Sequence, residues 1–289
     1  MAIGSECVTW YEGQWHKGNT PILGAADHAT WLGTLVFDGA RAFDGAIPDL
    51  DLHCARLIRS AEIMGLSPCT QAEEIEALCR EGVRRLGSDR PLYIRPMMWS
   101  REGSPAMIDP DPASTAFAVC VEDLAFIEPG HFSLTMSPFR RPAPDSALND
   151  AKAASHYANN GRIIAEARKR GFSNAVSLDQ QGFVAETGSS NIFIVTDGVV
   201  RTPIPNGTFL NGITRQRVIS LLREDGAEVL EMRLLPEDIA QADEIFITAN
   251  AQKIVPVTRF EDREFRSIST GQRARALYWE YALQSRKAA

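Results

Sequence analysis

The apolar residues change their spacing part-way along this chain, and that change limits the folds open to it. In the first third, Asp51 to Met64 carries apolar residues at Leu52, Ala55, Ile58 and Ala61 or Ile63, close to a helical period, with Gly65 as a stop. Gln71 to Leu86 is a second amphipathic stretch, ended by Gly87. Leu35-Val36-Phe37, Leu92 to Arg95 and Ala116 to Val121 read as strands between and after these helices. From Glu122 to Pro129 strand character gives way to a loop ending in Pro-Gly, after which the pattern restarts. Phe132 to Met136 reads as a strand, Arg140 to Asp150 as a proline-bearing loop, and Ala151 to Arg170 as a helix closed by Gly171. Short β runs follow at Ala175 to Leu178, Phe183 to Ala185 and Asn191 to Val195, with a Thr196-Asp197-Gly198 turn before Val199-Val200. Ile213 to Arg223 is helical behind Gly212, Ile245 to Ile247 is a buried strand, and Ser269 to Ser285 is a terminal helix. The expectation is an α+β chain of two domains with a cleft between them: residues 1–121, a connecting loop at 122–131, and residues 132–289.

Composition excludes several classes. The net charge of -7 comes from 30 basic and 37 acidic residues without a basic stripe, which argues against nucleic-acid and membrane-surface binders. No apolar run reaches the roughly 18 residues of a membrane span, and the N-terminus lacks the basic start and apolar core of a signal peptide, so the expected compartment is the cytoplasm. The five cysteines are scattered without a C-x-x-C, and the five histidines lack metal-ligand spacing. Buried thiols and no metal site are the expectation.

Only five of the 30 basic residues are lysines, so each lysine in a small or apolar setting merits separate attention. Lys152 lies in Asp150-Ala151-Lys152-Ala153-Ala154-Ser155, where a long side chain can point into a cavity. A lysine that forms a Schiff base needs such desolvation or a neighbouring cation. The same position also reads as an exposed lysine near a helix start. Tyr157 follows, as a phenol that can reach a cofactor oxygen or as an ordinary helix-face aromatic. In Glu186-Thr187-Gly188-Ser189-Ser190-Asn191 a carboxylate ends a β run before small residues, a setting suited to a pyridine nitrogen or to a strand-end acid. Gly212-Ile213-Thr214-Arg215 opens a helix and offers unpaired N–H groups to an anion, as many ligand-free helices also do. Arg56, within His53-Cys54-Ala55-Arg56-Leu57, is a phosphate partner or a surface arginine.

Taken together and in order, these segments resemble the class IV pyridoxal-phosphate aminotransferases of fold type IV, and within them the branched-chain amino acid aminotransferases. The resemblance runs from Phe37-Asp38-Gly39-Ala40-Arg41 through the Arg56 segment and Tyr93-Ile94-Arg95-Pro96. It continues through Lys152, Tyr157, Glu186 to Phe193 and Gly212 to Arg215, and ends at Phe246-Ile247-Thr248-Ala249-Asn250. It implies a small α/β domain plus a larger pseudo-barrel domain, pyridoxal 5'-phosphate as cofactor, and a homodimer or larger assembly. It implies a Lys152 aldimine, with Lys152 then shuttling the α-proton. Tyr157 would meet the ring oxygen and Glu186 the ring nitrogen. Arg56, Ser189, Ile213, Thr214 and Asn250 would complete the cofactor set. Trp31, Leu32, Phe37, Arg41, Tyr93, Arg95 and Ala251 would line the substrate pocket, with Arg95 handling the extra carboxylate of a 2-oxoglutarate acceptor.

The sequence departs from the family at Trp31-Leu32, where branched-chain enzymes carry His-Tyr, and at Asn250, where threonine is common. Losing the phenol leaves a more apolar wall, and apolar pockets separate side chains differing by one methylene by only about 1–3 kcal/mol. The implied activity is ping-pong transamination between a branched-chain or other apolar L-amino acid and 2-oxoglutarate. An (R)-selective amine or D-amino-acid transaminase of the same fold is the alternative.

Overall fold

The computed structural model describes residues 6–87, 89–126, 130–284 and 286. The expected Glu122–Pro129 boundary therefore lies partly outside the described residues, as do residues 1–5 and Ser285. The chain forms two compact units, one of Met1–Phe126, Ala151–His156 and Ala282–Ala289, the other of Ile127–Asp150 and Tyr157–Tyr281.

The first unit is built on an antiparallel sheet of β1 (Cys7–Tyr11), β2 (Gln14–Lys17), β3 (Leu35–Phe37), β4 (Ala40–Ala42), β5 (Leu92–Ser100) and β6 (Thr115–Asp123). The strand order is β2-β1-β6-β5-β3, with β4 also on β5. A short helix, α1 (His28–Leu32), precedes β3, and α2 (Leu50–Ile63) and α3 (Ala72–Leu86) follow β4. Leu50, Cys54, Leu57 and Ala61 fall on one face of α2, and Ile75, Cys79 and Val83 on one face of α3. These faces share a core with Ile94, Val119 and Val121 of the sheet. Each large apolar side chain taken out of water contributes about 1.5–3 kcal/mol. The helix α3 comes so close to the sheet that a Cβ on Gly82 would stand 2.6 Å from Val121, so only glycine fits.

β3 and β4 keep one register along β5, but the ladder is interrupted between Phe37↔Met97 and Ala40↔Ile94. Pro96 sits opposite the gap and has no N–H to give. In the gap, the Asp38 N–H donates to the Pro96 carbonyl and the Asp38 carboxylate is wholly buried.

Among the described residues the second unit holds ten strands and the remaining helices, the last of them as far as Tyr281. In chain order these are β7 (Ser133–Met136), α4 (Tyr157–Lys169), β8 (Asn174–Leu178), β9 (Val184–Thr187), β10 (Asn191–Thr196) and β11 (Val199–Pro203), then α5 (Ile213–Glu224), β12 (Val229–Met232), α6 (Pro236–Gln241), β13 (Glu244–Ala249), β14 (Lys253–Val257), β15 (Arg259–Phe260), β16 (Arg263–Glu264) and α7 (Ser269–Gln284). Two five-stranded sheets, β12-β11-β10-β13-β14 and β16-β15-β7-β8-β9, share one core of Leu134, Val176, Val184, Ile192, Ile194, Ile245, Ile247 and Val257. Continuous apolar runs in β10 and β13 follow from burial on both faces. The architecture is the expected α+β type.

Two expectations need correction. Lys152 is not helical: Ala154–His156 is one 3₁₀ turn and α4 starts at Tyr157. The segment is instead drawn into extended pairing, with Ala153 bridging Val36 and the Phe37 N–H donating to the Lys152 carbonyl. Nor are all the thiols buried. All five cysteines are free, but Cys69 is exposed and Cys7 half-buried.

Candidate active site

In the first unit, several of the residues assigned from the sequence to the site lie around the β3–β4 gap. Both backbone groups of Lys152 are held, its N–H by Ser60 Oγ at 3.1 Å and its carbonyl by the Phe37 N–H. Its Nζ lies 5.0 Å from the centre of the Phe37 ring, a cation over an aromatic face. Predicted Lys152 and Phe37 are thus neighbours.

Predicted Arg56 is buried on α2, its Nε and Nη2 donating to Asp38 at 2.7 and 2.9 Å. Asp38 also accepts from His53 Nδ1 at 2.7 Å and from the Gly39 N–H at 2.7 Å. Burial pushes the Asp38 carboxyl up, but Arg56 and then His53 outweigh it and hold it well below the usual carboxylate range. Asp38 therefore sets the plane of the Arg56 guanidinium.

Predicted Tyr93 and Arg95 lie on β5, and Arg95 stands 5.0 Å from the Tyr93 ring centre. The Tyr93 hydroxyl occupies the place a Gly39 Cβ would take, so Gly39 makes room for it. Arg95 donates to buried Glu122. Burial pulls the Arg95 guanidinium down, but Glu122 more than restores it. Predicted Arg41 pairs with Tyr93 across β4–β5, is wholly buried, and donates to the Leu124 carbonyl at 2.5 Å. Trp31 and Leu32 lie on α1, where a Cβ on the C-cap Gly33 would stand 3.4 Å from the Ser155 Cβ. Trp31 is 54 % exposed and meets His28 edge-on.

In the second unit, Glu186 on β9 is buried and faces Arg141 Nη2 at 3.1 Å. Arg141 in turn donates to Asn160 Oδ1 at 2.6 Å and to the Thr208 carbonyl at 3.2 Å. Asn191 Nδ2 donates to Glu186 Oε2 at 3.4 Å and to the Leu210 carbonyl at 3.0 Å. Its Oδ1 stands 2.3 Å from where a Gly212 Cβ would be, so the start of α5 tolerates only glycine there. Gly212 gives α5 no side-chain cap, and Ile213 and Thr214 behind it are buried. Such a helix start directs N–H groups and a positive dipole end at an anion. Asn191 also pairs with Thr248 across β10–β13, which carries the Asn250-Ala251 turn to the same end of the sheet. Asn250 Nδ2 is buried without a hydrogen-bond partner among the described residues.

Glu186, the α5 start and Asn250 are thereby brought together. Ser189 accepts from Asn174 Nδ2 at 3.2 Å beside them, in the exposed turn after β9. Tyr157 is the first residue of α4 and 39 % exposed. Ala251 is exposed.

Within the second unit the chemistry of the donors fits pyridoxal 5'-phosphate: a buried acid suits a ring nitrogen, and a glycine-opened helix start and a buried amide N–H₂ suit a phosphate. Within the first unit, Lys152 has the firmly held backbone a reacting lysine needs. Sequence reasoning missed Asp38 and His53, which stand inside quoted segments but carry their role only through Arg56. It also missed Arg141, one arginine of many in a proline-bearing loop. Lys253, fully buried at the start of β14, was marked only by the scarcity of lysine. Among the described residues no group of side chains could hold a metal ion, and no helix is long and apolar enough to cross a membrane.

A model of the amino-transferase class IV family matches residues 35–260. The chain belongs to that family. The branched-chain-amino-acid aminotransferase of Pseudomonas aeruginosa is 32% identical over 279 residues, which cover 92% of this chain and 88% of that one. A crystal structure of an aminotransferase from Brucella abortus bound to the cofactor PLP is 51% identical, with a TM-score of 0.94 over 96% of this chain and 99% of that one. A T.th. branched-chain amino acid aminotransferase, complexed with N-(5'-phosphopyridoxyl)-L-glutamate, is 28% identical, with a TM-score of 0.87 over 97% and 95% of the two chains.

Proposed function

We propose that the chain transfers the amino group of a branched-chain or other apolar L-amino acid to 2-oxoglutarate, with pyridoxal 5'-phosphate as cofactor and Lys152 as the reacting lysine. The observation that carries this is the hold on Lys152, both backbone groups fixed and Nζ over the Phe37 ring, within a chain of this family. The bound cofactor supplies an electron sink for the α-carbon of the amino acid. Everything else falls to the protein.

Lys152 would be the residue that holds the bound cofactor through its amine and the base that moves the substrate's α-proton. Glu186, kept in place by Arg141 and Asn191, would face the ring nitrogen, and Tyr157 is assigned to the ring oxygen. In the second unit Ser189, the α5 start at Ile213 and Thr214, and the Asn250 turn would hold the phosphate; Arg56, oriented by Asp38 in the first unit, is assigned to the same group by the family resemblance.

The pocket takes in two different reactants, an apolar amino acid and an acceptor with a second carboxylate. Arg95 is assigned to that second carboxylate. A ligand carboxylate there competes with Glu122 for the guanidinium, which gives the arginine a resting partner when the apolar substrate is bound. Phe37, Arg41, Tyr93, Trp31, Leu32 and Ala251 are assigned to the pocket wall. The glutamate adduct of the T.th. enzyme and the activity named for the Pseudomonas relative support this pair of reactants. They do not favour the (R)-amine or D-amino-acid alternative.

The reading includes a cytoplasmic homodimer, as the family resemblance implies, and light scattering on the purified holoenzyme reads its mass directly. The activity itself is tested by coupled assay of L-leucine, L-isoleucine and L-valine with 2-oxoglutarate. Turnover confined to (R)-amines or D-amino acids would reject it.

A further inference from the structure

Lys253 is a buried lysine that the transamination reading leaves without a task. It is wholly shielded from solvent at the start of β14. Its φ of 62° lies in the left-handed region, where glycine is the relaxed choice. A lysine kept in such a conformation points to a demand on its side chain. Its Nζ donates to Asn250 Oδ1 at 2.6 Å and stands 5.3 Å from the ring centre of Tyr278, itself buried. Arg275 Nη1 donates to the carbonyls of Gln252 and Ile254 on either side, at 3.3 and 3.2 Å, and fixes the turn.

A carboxamide has an acceptor end and a donor end, whereas a lysine ammonium has donors alone. Lys253 can therefore hold only the oxygen of Asn250, and holding it decides which way the nitrogen faces. That nitrogen is buried and has no hydrogen-bond partner among the described residues. A buried donor without an acceptor destabilises the fold that contains it, so an acceptor arriving with a ligand is the expected complement.

We propose that Lys253 is a positioning residue that locks the Asn250 carboxamide with its N–H₂ end toward an oxyanion of the bound reactants. That oxyanion belongs either to the cofactor's phosphate or to the substrate's carboxylate. The inference rests on the aminotransferase reading above. A hydroxyl can turn to suit its acceptor, whereas a carboxamide must be held the right way round.

A double-mutant cycle of Lys253→Met and Asn250→Ala tests it, with three readouts on the full chain. These are the dissociation constant of pyridoxal 5'-phosphate, the inhibition constant of 4-methylpentanoate against the holoenzyme, and Tm. Lys253→Met is expected to weaken one of the two ligands by about tenfold, the scale of a hydrogen bond to a charged group, and to add nothing once Asn250 is alanine. Weaker cofactor binding names the phosphate as the oxyanion, and weaker 4-methylpentanoate binding names the carboxylate. Asn250→Asp keeps a partner for Lys253 but removes the donor, so it should weaken the same ligand with Tm held. It also decides the matter if Lys253→Met does not fold. Unchanged binding of both ligands in Asn250→Asp, or an equal effect of Lys253→Met with and without Asn250, overturns the inference. A wild-type protein that shows no cofactor absorption band would instead reject the aminotransferase reading itself.

Discussion

The polar cluster at Asp38 is buried and the one at Asn250 half-buried around a buried Lys253, and they are finished to different degrees. Asp38 accepts from Arg56, His53 and the Gly39 N–H, so its charge is matched within the fold. Asn250 has its oxygen matched by Lys253 and its nitrogen by nothing described. A buried group with all its bonds made stabilises and orients; one left open costs stability until a ligand arrives. The difference separates scaffold from site more sharply than residue type does, since both clusters pair a basic side chain with a carboxylate or amide.

Substitutions on either side of that division should fail differently. Lys152→Ala, on the reacting side, is expected to lower kcat by about 1,000-fold or more, with little change in Tm. Kinetics at saturating L-leucine beside a thermal melt would show whether the two effects separate. Asp38→Asn, on the scaffold side, leaves Arg56 and His53 without their anion and should cost about 3–5 kcal/mol of stability, read by urea unfolding. Asp38 titrates lower in the folded than in the unfolded chain. Its contribution is thus complete above the unfolded carboxyl's value of about 3.9 and is lost as pH falls below it. The asparagine variant should therefore show a flatter acid limb in its stability profile. An acid limb identical to wild type would remove Asp38 from the scaffold account.

Glu186→Gln lies between the two classes, because Glu186 is held by Arg141 yet assigned to the cofactor ring. About a 100-fold loss of kcat is expected, with the cofactor still bound. Loss of cofactor retention alone, at full kcat when saturated, would make Glu186 a packing residue. The smallest effect expected is at Arg95, where Ala should weaken 2-oxoglutarate about tenfold in KM and leave L-leucine unchanged. Equal KM changes for both reactants would break the assignment of Arg95 to the second carboxylate.

Several elements were legible in the sequence: α3, β6, β8, β10 and α5 fall where their apolar residues put them, and α2 falls in its expected place but buries Leu50, Cys54, Leu57 and Ala61 while the expected Leu52 and Ala55 are exposed. The strands β1, β2, β12 and β14 to β16 and the helices α1 and α6 were not. They are short or mixed in polarity, and their pairing partners lie far along the chain, as with Cys7↔Glu122. Lys152 was recognisable as a residue type in a setting of small neighbours, but its extended backbone was not, because that follows from the Val36–Ala153 bridge. In the same way Arg56 was visible and Asp38 was not. An orienting partner has no spacing of its own, and appears only when the Pro96 gap in the β5 ladder turns a carboxylate inward.

If the proposed chemistry is right, Lys152 carries the cofactor and an apolar L-amino acid discharges it. The most direct test is the visible absorption spectrum of the purified holoenzyme, followed as L-leucine and an (R)-amine are added to separate samples. The expected result is a lysine-bound cofactor band that L-leucine bleaches, that 2-oxoglutarate restores, and that is missing from Lys152→Ala. Bleaching by the (R)-amine alone would contradict the substrate assignment, and a normal band in Lys152→Ala would contradict the claim at its root.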